Sequence, residues 1–375
     1  MNIGIITFHN VINYGAALQA LALQEKLNKR EKTNVSIINY TPKDVFSPYK
    51  PLSIIKLKNY AKISFSMFLR AFISDGKNLK FILKRNAFFA AFGKKYFNCS
   101  GKAFKNFNKL KNSLIDYDVC FAGSDQIWNP DITYGFDAAY FLDFGSKNML
   151  RASYAASIGR DNFSMDEKNQ ISRYLESFDF ISLREKSAKN ILEELTDKPI
   201  DVVLDPTLLL NADDWRNLFS ISNNNQNYIF VYTLYPNPKL DMFVEKLSKL
   251  KKMPIVTLNR KQVYCNELKR FPFADPREFA NLIANAAYVV TNSFHGTAFS
   301  INFSKNFITF TGENRNSRIN DLLQTLGIPE RAVTNFKDDL LYMPDINYSD
   351  VQNRLSSERE QSEKYIDTVL ESVSK

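Results

Sequence analysis

Residues 1–39 read MNIGIITFHNVINYGAALQALALQEKLNKREKTNVSIIN. Residues 3–8 form an apolar run, and the polar stretch HNVINYG that follows holds a glycine. Ala16, Ala20, Leu23 and Leu27 then recur at i, i+4, i+7 and i+11, the spacing of one helix face. Val35–Asn39 is a second short apolar run. Strand, loop, helix and strand in this order open a doubly wound α/β sheet.

The alternation continues. Strands are expected at 117–122, 151–156, 180–183 and 201–204, with helices at 165–178 and within REKSAKNILEEL. After an asparagine-rich stretch, 222–227, it restarts with strands at 228–233, 254–258, 287–291 and 306–310. Helices are expected there at 238–250, 275–285 and 318–326, and a long terminal helix at 349–373. A chain of 375 residues is long for one core, so two domains are expected. These are an N-terminal Rossmann-like domain over 1–178 and a C-terminal one over 179–348, with the seam inside 175–225. The helix of 349–375 is expected to pack back on the first domain. Open α/β sheets bind ligands at the carboxyl ends of their strands, which selects the loops 9–15, 123–131, 157–161, 184–187, 205–207 and 292–297.

Composition excludes several classes. With 45% hydrophobic and 24% charged residues the chain is that of an ordinary globular protein. Cys99, Cys120 and Cys265 are too few and scattered for a disulfide framework, and with only His9 and His295 no metal centre is expected. MNIGIITFHN reads as a buried strand rather than a signal peptide. No stretch reaches the roughly 20 apolar residues of a membrane span, so a cytoplasmic location is expected. No GxGxxG follows a strand, which argues against a nicotinamide oxidoreductase.

The net charge of +9 is unevenly placed. Lys50–Lys111 carries 15 Lys and Arg against one acid, Asp75, a local +14; the remainder is −5. This segment reads as a basic, aromatic, helical insertion broken near Asp75-Gly76 and Ser100-Gly101. Three readings stay open for it: a solvated basic face, docking to anionic lipid headgroups on the inner face of a membrane, and nucleic-acid binding. The last has no accompanying motif and is set aside.

Five stretches carry a resemblance: NYGAALQALAL (13–23), YDVCFAGSDQIWNP (117–130), SLREKSA (182–188), VVLDPTLLL (202–210) and YVVTNSFHGTAFSI (288–301). In this order and at these spacings the chain resembles the polysaccharide pyruvyl transferase family from about residue 3 to residue 330. Residues 41–115 carry none of its motifs. The resemblance implies two Rossmann-like domains facing a cleft, similar to GT-B glycosyltransferases. It implies a phosphoenolpyruvate donor, no bound cofactor, and a hexose of a cell-surface polysaccharide, or of its lipid-linked precursor, as acceptor. The product is a pyruvate ketal, with phosphate released. The family's donor-site histidine and arginine fall on His295 and Arg184.

The chemistry selects residues beside the resemblance. An enol phosphate needs cations or N–H donors for its anionic groups and an acid near C3, and the acceptor hydroxyl needs a base. His295, in a strand-to-helix turn with Gly296 behind it, suits the anion or C3. Arg184 offers a guanidinium fork. Ser293, Thr297 and Asn292 are donors to phosphate or helix caps, and Arg315 and Arg318 follow the next strand. Asp125 is the expected acceptor-side base, with Gln126, Trp128 and Asn129 suiting a sugar's hydroxyls and C–H face. Asn13 and Gly15 shape the first loop, His9 lines the cleft or is structural, and Asp205 reads as a turn residue. Two other functions remain open: a nucleotide-sugar glycosyltransferase of the same fold, and a non-catalytic glycan-binding scaffold.

Overall fold

The computed structural model describes residues 1–42, 45, 79–224, 226–259, 262–312 and 317–373. Residues 50–78 of the basic segment, and Arg315, lie outside the described residues. The chain divides into two compact units, Met1–Pro206 with Tyr365–Lys375, and Thr207–Lys364.

The first unit is built on the strands β1 (Asn2–Ile6), β2 (Asn34–Tyr40), β3 (Cys99–Phe104), β4 (Val119–Ala122) and β5 (Leu150–Ser153). They form one parallel sheet in the order β3-β2-β1-β4-β5. Two further strands, β6 (Ile181–Leu183) and β7 (Ile200–Val202), pair parallel with each other. Bridges from Ala152 to Phe180 and from Ala156 to Leu183 tie β6 to the strand end of β5. This is the strand order of a dinucleotide-binding fold.

The domain boundary therefore falls at Pro206–Thr207, not at 178–179. Residues 179–206 stay with the first unit because β6 hydrogen-bonds alongside β5, the Ser153 N–H donating to the Phe180 carbonyl at 3.0 Å. From Tyr365 the helix Tyr348–Val373 also belongs to the first unit. There the Tyr365 hydroxyl donates to the Ser153 carbonyl at 2.7 Å, and Ile366 and Val369 are buried.

The second unit repeats the pattern with β8 (Ile229–Tyr232), β9 (Ile255–Leu258), β10 (Glu267–Phe271), β11 (Tyr288–Thr291), β12 (Asn306–Phe310) and β13 (Ala332–Val333). All pair parallel, in the order β10-β9-β8-β11-β12-β13. Every residue of β4, β8, β9 and β11 is buried, as expected of central strands in a parallel sheet.

The helix Tyr14–Asn28 buries every residue except Glu25 and Asn28, so it is packed on nearly all sides rather than on one face. Its two buried glutamines are accordingly bonded. Gln24 Nε2 donates to the Tyr96 carbonyl at 2.9 Å, and Gln24 Oε1 accepts from Asn98 N–H at 2.8 Å. That joins it to the helix Leu79–Tyr96. The segment expected to be helical to residue 111 instead places β3 at the sheet edge, with Gly101 at φ +27° and a register shift opposite Ile38 and Tyr40.

Buried in the second unit, Lys305 has its pKa held down to about 8, by burial first and by nearby Arg216 second. The unfolded chain keeps this amine protonated to about 10.4. Below pH 8 the fold therefore carries a buried charge, and stability rises as pH climbs from there because the unfolded state binds more protons. Lys305→Met is expected to melt above wild type near neutral pH, and differential scanning calorimetry should show that gap shrinking above pH 8.

Among the described residues no helix is long and apolar enough to cross a membrane, and no group of His, Cys, Asp and Glu is set to hold a metal ion.

Candidate functional site

In the first unit the GSDQ loop leaves the carboxyl end of β4. Gly123 sits at φ +129°, and a Cβ there would lie 2.2 Å from the Tyr154 carbonyl oxygen, so only glycine fits. Thr7 and Gln19 fix the next residue. The Thr7 hydroxyl donates to the Ser124 carbonyl at 2.8 Å, and the Ser124 N–H donates to Gln19 Oε1 at 3.0 Å. Gln19 Nε2 donates in turn to Thr7 Oγ1 at 3.0 Å. Asp125 follows in the left-handed region at φ +71°, its carbonyl accepting from Ser157 N–H at 3.0 Å.

Asp125 belongs to a buried charge cluster. Arg184 Nη1 donates to Asp205 Oδ2 at 2.7 Å, Nη2 lies 3.6 Å from Asp125 Oδ1, and Nε lies 3.8 Å from Glu185 Oε2. Ser157 Oγ donates to the other oxygen of Glu185 at 2.6 Å. Burial opposes the Arg184 charge, but Asp205, Asp125 and Glu185 together raise its pKa, so the guanidinium stays ionised. The side chains of Arg184, Asp205 and Glu185 are 2% exposed or less, whereas that of Asp125 is 12% exposed. Asp125 is the carboxylate of this group that solvent reaches.

This alters two expectations. Arg184, read as an anion ligand, faces three carboxylates, with Asp205 at 2.7 Å the nearest. Its surroundings are those of a positioning residue for Asp125. Asp205, read as a turn residue, is the closest partner of Arg184.

Trp128 does not offer a face to a sugar. It is 1% exposed, stacks on Phe141 at 5.2 Å between centroids, and donates Nε1–H to the Tyr140 carbonyl at 2.9 Å. An aromatic in a polar motif is here a core anchor for the loop. Asn129 caps the short helix Pro130–Thr133, and its Nδ2 donates to Gln126 Oε1 at 2.8 Å. Gly159, at φ +59°, packs against this pair, and a Cβ there would lie 2.1 Å from Gln126 Oε1. Asn13 caps the helix Tyr14–Asn28 through a bond from Ala16 N–H at 3.3 Å, and Gly15 is buried in its first turn.

In the second unit His295 stands in the first turn of the helix Phe294–Asn302, directly after β11. It is 7% exposed and meets the Phe294 ring edge-on at 5.2 Å. Ser293 is the N-cap, its hydroxyl accepting from Gly296 N–H at 3.3 Å. Asn292 clamps the loop after β8: its Oδ1 accepts from Leu234 N–H at 2.7 Å and its Nδ2 donates to the Tyr235 carbonyl at 2.9 Å.

Thr297 and Gly296, both expected beside the anion, shape this turn. The buried Thr297 hydroxyl lies 3.0 Å from the Ser293 carbonyl and 2.7 Å from Thr309 Oγ1. At Gly296 a Cβ would lie 2.4 Å from Thr291 Oγ1. Gly296→Ala is therefore expected to cost about 1–3 kcal/mol by overpacking and to displace the His295 backbone. A lowered melting temperature and altered His295 NMR resonances would check this. Arg318 is half-buried, the second residue of the helix Ser317–Thr325 that follows β12 in the same unit.

A search of curated proteins gives no match. Among solved structures the chain is similar to the UDP-GlcNAc 2-epimerase from Neisseria meningitidis bound to UDP-GlcNAc, at 8% identity and TM-score 0.45, covering 98% of this chain and 94% of that one. It is similar to the E. coli heptosyltransferase WaaC with ADP at 12% identity and TM-score 0.41, covering 96% and 100%. S. aureus MnaA with UDP aligns at 10% identity and TM-score 0.48, covering 91% and 86%. The α/β assignment rests on the strand orders above, not on these likenesses. A family model described as polysaccharide pyruvyl transferase matches residues 13–314, a span that takes in the Asn13 cap, the Asp125 and Arg184 cluster and the His295 turn. The chain belongs to the polysaccharide pyruvyl transferase family.

Proposed function

We propose that the protein transfers a pyruvyl group from phosphoenolpyruvate to a hexose of a cell-surface polysaccharide or its lipid-linked precursor, forming a cyclic ketal. The family match across residues 13–314 carries this reading. In it His295 acts on the donor, at a helix N-terminus whose N–H groups and dipole favour an anion. Ser293 and Arg318 stand with it as donor-side ligands. Asp125 acts on the acceptor, held by Arg184 and flanked by Gln126 and Asn129.

A proton adds to C3 of the enol phosphate, and C2 gains oxocarbenium character. One sugar hydroxyl bonds to C2 and gives its proton to Asp125. The C2–O bond to phosphate breaks, and the second hydroxyl closes the ring with loss of its own proton. Of the two hydroxyl protons, one replaces that delivered to C3 and one leaves on phosphate. His295 is suited to deliver the C3 proton, and Asp125 to accept the first hydroxyl proton.

The test is incubation with phosphoenolpyruvate and a panel of lipid-linked or aryl galactosides, glucosides and mannosides. Acceptor-dependent phosphate release, with a product heavier by one pyruvyl ketal in mass spectrometry, is expected. Absence of phosphoenolpyruvate binding by calorimetry, together with binding of a nucleoside diphosphate, would replace this reading by a glycosyltransferase.

A further inference from the structure

The helix Leu79–Tyr96 holds Lys80, Lys84, Arg85, Lys94 and Lys95, and neither Asp nor Glu. Its buried residues are Phe89 and Phe92. That side meets the helix Tyr14–Asn28, where the Phe89 and Tyr14 rings lie 5.2 Å apart and Gln24 Nε2 donates to the Tyr96 carbonyl. At about 100° per residue the opposite arc takes Lys80, Lys84, Lys94 and Lys95 together with Leu83 and Phe88. All six are exposed, Leu83 by 51% and Phe88 by 37%. Ala87 and Ala91, also exposed, lie between them on the same arc.

Phe89 meets Tyr14 in the first turn of the neighbouring helix, and Tyr96 meets Gln24 further along it, so the two helices run the same way. Tyr14 follows the loop at the carboxyl end of β1. Residues 79–88 therefore reach back past that end, over about 15 Å of helix at 1.5 Å per residue. β4 pairs beside β1 in the sheet. The projecting half, with Lys80, Leu83, Lys84 and Phe88, thus stands at the same end of the first unit as the GSDQ loop.

One exposed leucine or phenylalanine is ordinary on a protein surface. Here both share an arc with four lysines and no acid, and an anionic bilayer matches that combination. Ammonium groups on flexible stems reach lipid phosphates, while leucine and phenylalanine enter the boundary between headgroups and acyl chains. Nucleic acid is bound through guanidinium groups and stacking rings, with polar side chains for base edges. The helix's one arginine, Arg85, is half-buried, its guanidinium 5.9 Å from the Phe81 ring centroid. We propose that this face of the helix docks the first unit on a membrane surface of anionic lipid. The docking is independent of the reaction above, and it would set the GSDQ end of the unit towards a lipid-linked acceptor.

The test sediments the full chain with vesicles of phosphatidylcholine alone and of phosphatidylcholine mixed with phosphatidylglycerol. Binding to the mixed vesicles is expected at low salt, weakening as salt screens the surface, with little binding to the neutral ones. A lysine near such a surface contributes about fivefold in partitioning, so Lys80→Glu with Lys84→Glu should lower binding at least about 25-fold. Both positions are exposed, and the melting temperature of that protein should match wild type. Phe88→Trp reads the apolar contact. The native Trp128 and Trp215 are buried, so a blue shift of emission on adding mixed vesicles reports residue 88. No sedimentation with mixed vesicles, equal sedimentation of the charge-reversed protein, or unshifted Phe88→Trp emission overturns the proposal. Tighter binding of a single-stranded RNA oligonucleotide at matched phosphate concentration, lost in the charge-reversed protein, assigns the face to nucleic acid and overturns it as well. None of these readouts uses phosphoenolpyruvate, so failure here leaves the transfer reaction standing, and failure of the transfer assay leaves the docking face standing.

Discussion

In His295→Gln protein, kcat/KM for pyruvyl transfer is expected to fall by about 10²–10⁴-fold, the range for loss of a positioned acid or base. Glutamine keeps polar reach and similar bulk in a turn already fixed by Ser293, Asn292 and Thr291. The melting temperature should therefore stay within about 2–4 °C of wild type, the equivalent of 1 kcal/mol. How the loss divides between constants separates the two tasks open to this side chain. If His295 delivers the C3 proton, kcat falls, and in D₂O the slow appearance of one deuterium in the product methyl tracks that fall. If it only holds the phosphate, the KM for phosphoenolpyruvate rises and kcat is largely kept. An unchanged kcat/KM would remove His295 from the mechanism.

Much of the architecture could be read from the chain because central parallel strands are apolar on both faces. Tyr288–Thr291 and Ile229–Tyr232 are buried at every position, and such runs stand out from any polar surroundings. Edge strands give no such signal. Glu267–Phe271 has no buried residue, and Cys99–Phe104 joins the sheet through backbone bonds with a glycine in its middle. The turns at strand ends were legible by the rule that ligands gather there, and His295 and Asp125 do sit at such ends. What each side chain does within its turn was not. A tryptophan in a polar loop can stack on a sugar or fill a core, and Trp128 fills a core. Arg184 and Asp205 are 21 residues apart; only the pairing of β6 with β7 brings their strand ends side by side. The strand-end rule reaches both loops, 184–187 and 205–207, but carries no information on which side chains pair across them.

That pair sets the second large effect. Arg184→Ala would leave the carboxylates of Asp205, Glu185 and Asp125 facing one another with no cation between them, two of the side chains 1% exposed or less. Breaking a buried pair from one side costs about 3–5 kcal/mol. For a unit of this size each kcal/mol moves the midpoint by about 2–4 °C, so a drop on the order of 10 °C is expected by scanning calorimetry. Arg184→Lys should recover only part of it, because an ammonium can meet Asp205 but cannot span three acids as the guanidinium does. Asp125→Asn should behave in the opposite way. It removes the most exposed carboxylate of the cluster and keeps an oxygen for Gln126 N–H, now 2.9 Å from Asp125 Oδ1. Its midpoint is expected to move by less than about 4 °C, while kcat falls by about 10²-fold or more with loss of the base. A guanidinium that bound phosphoenolpyruvate directly would instead give an Arg184→Lys protein that folds like wild type and shows a raised KM for the donor alone. The sign of that comparison assigns Arg184: a stability defect places it behind Asp125, and a donor KM defect places it against the substrate.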